Sequence, residues 1–420
     1  MKKVSIIIFL ILILCCSIIL INSSFYERKI ISNTKTENIL NTNSLTMMYE
    51  TDYQSGEYQV SSDSEWPQDG YTFNETLSKC ENGSTLIWND ENKRVILQAN
   101  VSDKCYVYFD FEPTLADLCA GKTLAVCITN YVYVSDGVND LYYHDGVGSY
   151  VNANQEAGDN SYRYSGANPN NYVCFGSDTE TCPTDNLYRI IGIFNNQVKM
   201  IKGDYTKYDL LGTDGEYIFS GDYLEYDYYK GSINANLLGI YSWNSNNSNK
   251  WSDSRLNTTN LNLNFINNFE NKWQNLIAET TWYLGGMTSY SNTAKAFYDG
   301  ERSNVGNGSN STTYSDEIGL MYPSDYGYAV SPDYWNITLN NYKETVNYNW
   351  LYMGLYEWTI TRVNSNHDAE AAYIIDDVGC VTDTPVFRND VMMVRPSFYL
   401  NFNVQYISGT GTQSDPYRIN

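Results

Sequence analysis

An apolar run over residues 4–21, preceded by Lys2 and Lys3, constrains this chain more than any other stretch. Its 18 residues carry no charge, and only Ser5, Ser17 and the thiols of Cys15 and Cys16 relieve the aliphatic character. As a helix the run would measure about 27 Å, close to the roughly 30 Å hydrocarbon core of a bilayer. It is longer than the apolar segment of an ordinary cleavable signal, and Asn22-Ser23-Ser24 makes a poor cleavage site. Three readings of residues 1–24 stay open: an uncleaved signal-anchor, a cleaved signal peptide, or a lipid anchor at Cys16, which lacks the small residues usually found before such a site. All three export the rest of the chain. The expected product is membrane-anchored through residues 4–21, with Lys2 and Lys3 on the cytoplasmic side and its bulk extracellular.

Export sets the terms for the nine cysteines. Cys15 and Cys16 lie in the apolar run, and the other seven meet an oxidising compartment in which disulfides form. Local pairing gives Cys80–Cys105, Cys119–Cys127 and Cys174–Cys182, with Cys380 left over. No C-x-x-C occurs, so zinc-ribbon and thioredoxin-like chemistry fit poorly. Cys380 has His367 only as a sequence neighbour and reads as a free or buried thiol.

Beyond the anchor, residues 25–45 are rich in Asn, Thr, Ser and Lys without periodicity, and read as a stalk. Residues 46–110 alternate apolar and polar positions at 84–88, 94–98 and 105–109, separated by Glu81-Asn82-Gly83 and residues 89–92. That pattern predicts a small β-rich domain. Residues 113–420 read as one large domain, with strands at 187–194, 197–202 and 394–400. Asn195-Asn196 suits a hairpin turn, because Asn tolerates the left-handed conformation. Leu261, Phe265, Phe269, Trp273, Leu276 and Ile277 recur every three or four residues and predict an amphipathic helix over 260–277. A shorter helix is expected over 113–120, capped by Thr114. The fold class is α+β, dominated by strand.

Acidic residues outnumber basic ones 49 to 26, a net charge of −23, which excludes nucleic acid as a partner. Two His residues leave little for His-based chemistry. No phosphate-binding G-x-x-x-x-G-K-[ST], no G-x-S-x-G and no H-E-x-x-H is present. His144, beside Asp145, reads as a surface-loop histidine. Asp209, Asp214, Glu216, Asp222, Glu225 and Asp227 supply carboxylates of the kind a glycosidase needs, with no spacing that selects a pair. Calcium is the natural cation for loops such as Asp136-Gly137-Val138-Asn139-Asp140, Asp145-Gly146 and Asp376-Asp377, although none has EF-hand spacing and a solvated acidic loop is the simpler reading. No other cofactor is expected.

Forty Tyr and nine Trp are the more informative surplus. Tyr combines a flat apolar face with a hydroxyl and orders at low entropic cost, so Tyr-rich surfaces bind sugars and proteins. The run 322–328 places Tyr326 and Tyr328 beside Asp and Gly in an expected loop.

In the C-terminal third, Tyr356-Glu357-Trp358-Thr359-Ile360-Thr361 is followed by Val394-Arg395-Pro396 and the rest of 394–401. Together with Trp251-Ser252-Asp253-Ser254-Arg255-Leu256-Asn257 ahead of the helix, and the segments 160–176 and 182–194, this resembles a group of bacterial surface modules. These are loosely similar to the C-type-lectin-like fold of formylglycine-generating sulfatase-type domains. The resemblance covers about residues 114–420. It implies a lectin-like domain; the motifs themselves read as structural, with Arg395 before Pro396 pairing with a buried carboxylate as its strand closes a sheet and Trp358 packing in the core. The oxidase members of that fold use paired cysteines, which Cys380 alone does not supply. The tail 409–419 resembles the endings of bacterial surface repeats and marks a boundary. The expected function is therefore non-catalytic: an adhesin-like surface protein that binds a glycan or a surface protein, with Trp335, Trp350, Tyr326 and Tyr328 as the stacking surfaces. The alternatives are a structural envelope component without a specific ligand, or a glycan-active hydrolase.

Overall fold

The computed structural model describes residues 43–63, 65–99, 102–147, 154–220, 235–303, 311–364, 370–387 and 392–420. The expected membrane segment and all but the end of the stalk lie outside these residues. Among the described residues no helix is long and apolar enough to cross a membrane. The chain divides into two compact units between Glu112 and Pro113.

The N-terminal unit has six strands: β1 (Ser44–Glu50), β2 (Tyr58–Val60), β3 (Tyr71–Cys80), β4 (Thr85–Asn89), β5 (Arg94–Gln98) and β6 (Lys104–Phe111). Four form a sheet in the order β2–β1–β6–β3, with β1 and β6 parallel, while β4 and β5 make a separate hairpin. β1 begins at Ser44, two residues before the expected start of the small domain. Stacked aromatic rings run through its interior: Trp66 stacks on Tyr49 and Phe109, and Phe73 stacks on Trp88. Cys80 faces Cys105 across the β3–β6 ladder, and the two are joined as a disulfide. Asp103, nearby, accepts the backbone N–H groups of Asn82 and Ser84 and so shapes the turn between β3 and β4.

The C-terminal unit opens with the short helix Leu115–Cys119, whose first turn is closed reciprocally by Thr114 and Asp117. Cys119 is bonded to Cys127 in the next helix, Leu124–Cys127. The main sheet contains β7 (Leu141–His144), β8 (Ser161–Tyr164), β9 (Tyr172–Cys174), β10 (Leu187–Phe194) and β11 (Gln197–Lys202), with the short strands Ile318–Gly319 and Ser397–Tyr399. From one edge the order is Ile318–Gly319, Ser397–Tyr399, β11, β10, β8, β7, and β9 pairs with β10 off this path. Every residue of β10 is buried, as expected of a strand covered on both faces. Asn195 and Asn196 join β10 to β11 with φ of +49° and +62°, the left-handed pair that a two-residue hairpin turn requires. Cys174, at the end of β9, is bonded to Cys182.

The closing strand is shorter than the sequence predicts, because Pro396 has no N–H for a ladder. Val394 and Pro396 instead offer their carbonyls to Thr206 and Lys202, and regular pairing begins at Ser397. Arg395 points inward and pairs with Glu357, the first residue of the buried strand Glu357–Arg362. Trp358, next to Glu357, is fully buried. The tail folds back into the unit: Tyr417 exchanges backbone bonds with Tyr172 and Cys174. Gly409, at φ +90°, has the Pro416 carbonyl 2.2 Å from where a Cβ would sit, so only glycine fits that bend.

The long helix expected at 260–277 needs correcting. Helical winding runs over Leu256–Phe265 in π form, stops near Phe269, and resumes for one turn at Asn271–Gln274 after the extended Glu270. The asparagines cause the shift. Asn260 donates to the Leu211 carbonyl and accepts from Glu216 N–H, and Asn262 brackets both backbone groups of Ile318. Asn264 and Asn268 donate to the carbonyls of Leu211 and Leu210. These amides tie the helix to neighbouring chain and set its winding, whereas the apolar period alone suggests one regular cylinder.

Candidate functional site

The four aromatic residues expected to be exposed are all buried. Trp335 is 1% exposed and donates to the Val330 carbonyl. Trp350 is 4% exposed, donates to the Tyr164 carbonyl and covers the Arg189 guanidinium. The hydroxyls of Tyr326 and Tyr328 donate to the carbonyls of Gly379 and Gln155. Each polar handle is used internally, so none of these rings is a stacking platform.

His144 is likewise not a surface residue. It is buried on β7 against Trp335 and Tyr328, and its Nδ1 accepts the Ala157 N–H. Burial, helped by Arg163, holds it well below its ordinary pKa and therefore neutral.

The acidic loops are engaged in their own turns. Asp136 Oδ1 accepts the Tyr143 N–H and the Tyr133 hydroxyl, and Asp376 Oδ1 accepts Val378 and Cys380 N–H. Asp214 accepts from Asn264, and Glu216, buried, accepts from Ser245 N–H. Asp222, Glu225, Asp227 and His367 lie outside the described residues. Among the described residues, metal-ligand atoms converge only at Cys80, Asp103 and Cys105, where the two sulfurs are already bonded to each other. Cys380 is a half-buried free thiol whose pKa is pushed up by burial and by Asp376, which makes it a poor nucleophile.

A different aromatic group does reach the surface. Strand alternation on the paired β7 and β8 sends Tyr142, His144, Ser161 and Arg163 inward, and leaves Tyr143 and Tyr162 half-exposed directly opposite each other. Their rings lie 4.7 Å apart, and Tyr133 from the preceding loop meets Tyr162 edge-on at 4.8 Å. The hydroxyl of Tyr143 donates to Asn160, and that of Tyr133 to Asp136, so rings and acceptors are held together. The flanking loops leave Val134 and Val147 at 70% and 76% exposed. Among the described residues β7 is the edge strand of the main sheet, and on this side of the pair Leu141 and Tyr164 are buried while Tyr143 and Tyr162 stay partly exposed. The signal for it lay in the two Tyr-containing period-two segments at 141–144 and 161–164, where the outward residue is aromatic on both.

Behind this face the same strands carry a buried ionic network. Arg163 donates from Nε to Ser161 Oγ (2.9 Å) and from Nη2 to Asp159 (2.7 Å), under the rings of Phe194 and Tyr328. Lys199 Nζ is 2.6 Å from Asp325. Glu301 accepts the Ser324 N–H and hydroxyl and contacts Arg302.

Compared with known proteins, the chain matches no family model, no curated protein and no solved structure. The site therefore rests on its own chemistry: flat, half-exposed rings bordered by carboxylate and amide oxygens, a surface that can stack on an apolar ring face and accept hydroxyl hydrogen bonds.

The ionic network also sets a pH dependence. Burial raises Glu301 from its ordinary 4.5 to about 7, against the opposing pull of Arg302 and Ser324. Asp316, half-buried beside Glu317, is raised in the same direction, also to about 7. Between pH 4.5 and 7 the folded state holds protons that an unfolded chain releases, so stability falls as pH rises through that window. Burial opposes ionisation of Asp159 too, but Arg163 and Ser161 outweigh it and hold this carboxyl well below the usual range. Its contribution is therefore lost as pH falls below its ordinary 3.8. Urea melts of the wild type should show lower stability at pH 7 than at pH 5, and Glu301→Gln should flatten that slope. A slope unchanged by Glu301→Gln would assign it elsewhere.

Proposed function

We propose that the chain is a non-catalytic, adhesin-like extracellular surface protein, anchored through residues 4–21, whose large lectin-like unit binds a glycan at Tyr133, Tyr143 and Tyr162. The observation that carries this reading is the cluster of partly exposed tyrosine rings from β7, β8 and the segment before β7, with Asp136 and Asn160 at its rim. Sugars present an apolar ring face and a belt of hydroxyls, and this face offers a complement to each. The net charge of −23 selects against polyanionic glycans and favours neutral or amino sugars.

A glycan array with residues 25–420, run with calcium and with chelator, tests the reading. Selective binding is expected, and Tyr143→Ala or Tyr162→Ala should weaken it by about tenfold, the equivalent of one lost aromatic contact. Binding that both substitutions leave intact would place the site elsewhere. No binding in either arm would favour a structural envelope role.

A further inference from the structure

Lys199 in β11 and Asp325 in the helix Pro323–Tyr328 lie 126 residues apart in sequence, yet their side chains are 0% and 1% exposed and 2.6 Å apart. The amine is surrounded by rings, with Tyr322, Trp282 and Tyr399 centred 4.3, 5.3 and 5.5 Å away. The carboxylate is oriented from two sides. Its Oδ2 accepts the Tyr322 N–H at 2.9 Å, and its Oδ1 lies 3.7 Å from Arg163 Nη1, a buried nitrogen with no hydrogen-bond partner. Glu301 grips both the N–H and the hydroxyl of Ser324 and so positions the adjacent Asp325. A dry site of this kind makes a charged pair costly and a neutral product favourable. Burial also brings the Lys199 amine down to about 8, against the pull of Asp325, so the neutral nucleophile is within reach. Lys202, equally buried, donates instead to the Asp185 backbone carbonyl, which cannot condense with it.

We propose that Lys199 and Asp325 condense to an intramolecular amide bond between Nζ and Cγ in the folded protein. The ammonium first passes one proton to Oδ2, which gives a neutral amine and a neutral acid. The nitrogen lone pair attacks Cγ, and the negative charge that develops on Oδ1 faces Arg163 Nη1. The nitrogen then gives a second proton to the Oδ2 hydroxyl, the C–Oδ2 bond breaks and one water leaves. The amide keeps the third proton, no redox partner is needed, and two buried charges are removed. The bond would tie a central strand of the main sheet to the helix Pro323–Tyr328. This inference does not depend on the glycan reading.

Mass spectrometry of the full chain, folded and then reduced and denatured, tests it. The expected mass is one water below that of the sequence after any N-terminal processing. Trypsin should fail to cut after Lys199 and should release a branched peptide that joins the Lys199 and Asp325 segments. Lys199→Arg keeps the positive charge but removes the primary amine, and should restore the full mass. Wild-type protein of full mass, cut normally after Lys199, would overturn the proposal whether or not the variant folds.

Discussion

Glu357→Ala is expected to destabilise the large unit by about 3–5 kcal/mol, the usual cost of removing one partner from a buried ion pair. Arg395 donates from Nε and Nη2 to the two oxygens of Glu357 at 2.8 and 2.9 Å, and from Nη2 to the Leu351 carbonyl at 2.6 Å. Both side chains are within 2% of full burial. With Glu357 gone, the guanidinium keeps one carbonyl, the ring of Tyr205, 5.7 Å away, and the weaker attraction of Asp204. Against a total stability of about 5–15 kcal/mol, that loss is a large share. Urea denaturation followed by tryptophan fluorescence would read it directly. The double variant Glu357→Leu with Arg395→Met should recover most of the loss, because the penalty lies in the stranded charge and not in the missing attraction. A single variant that costs less than about 1 kcal/mol would mean that the charge finds water or another partner.

The second large effect concerns the N-terminal unit. Its described residues build a small core from a few stacked rings, and domains of that size gain little from burial alone. The Cys80–Cys105 bond closes a loop with a separation of 25 residues, for which chain entropy gives roughly 3 kcal/mol. Cys80→Ser with Cys105→Ser, or reduction of the wild type, should therefore unfold this unit first. The large unit has two disulfides, each with a separation of 8 residues, over an extensive buried core, and should stay folded under the same conditions. Limited proteolysis with and without reductant is the measurement. Cleavage should appear within residues 43–112 while 113–420 resists. A small unit that stays resistant after reduction would show that its aromatic core suffices.

The features that could be read from sequence are those closed by neighbours along the chain. Thr114 and Asp117 meet within one helical turn, Asn195-Asn196 carry their own left-handed preference, and the three cysteine pairs join nearby positions. The strand-dominated α+β class follows from the same short-range periodicity. The pairing of Arg395 with a buried carboxylate is expected from its place before Pro396 in a closing strand, although the identity of Glu357 is not.

The candidate site was not legible in this way, because exposure is not a local property. Trp335, Trp350, Tyr326 and Tyr328 sit in polar, Gly- and Asn-rich sequence that reads as loop, yet each finds a carbonyl acceptor from the surrounding chain and is sealed inside. Tyr143 and Tyr162 oppose each other across β7 and β8 and stay partly exposed, whereas Leu141 and Tyr164 on the same side of the pair are buried by other parts of the chain. The asparagines of 257–268 clamp neighbouring chain, Asn257 and Asn260 from buried positions and Asn268 from an exposed one. The sequence alone determined the acidic balance, the disulfide partners and the class of the fold. Only the tertiary structure decided which aromatic rings meet solvent and which charges meet each other. Those outcomes depend on partners such as Lys199 and Asp325, brought together by the order of the strands and not by spacing along the chain.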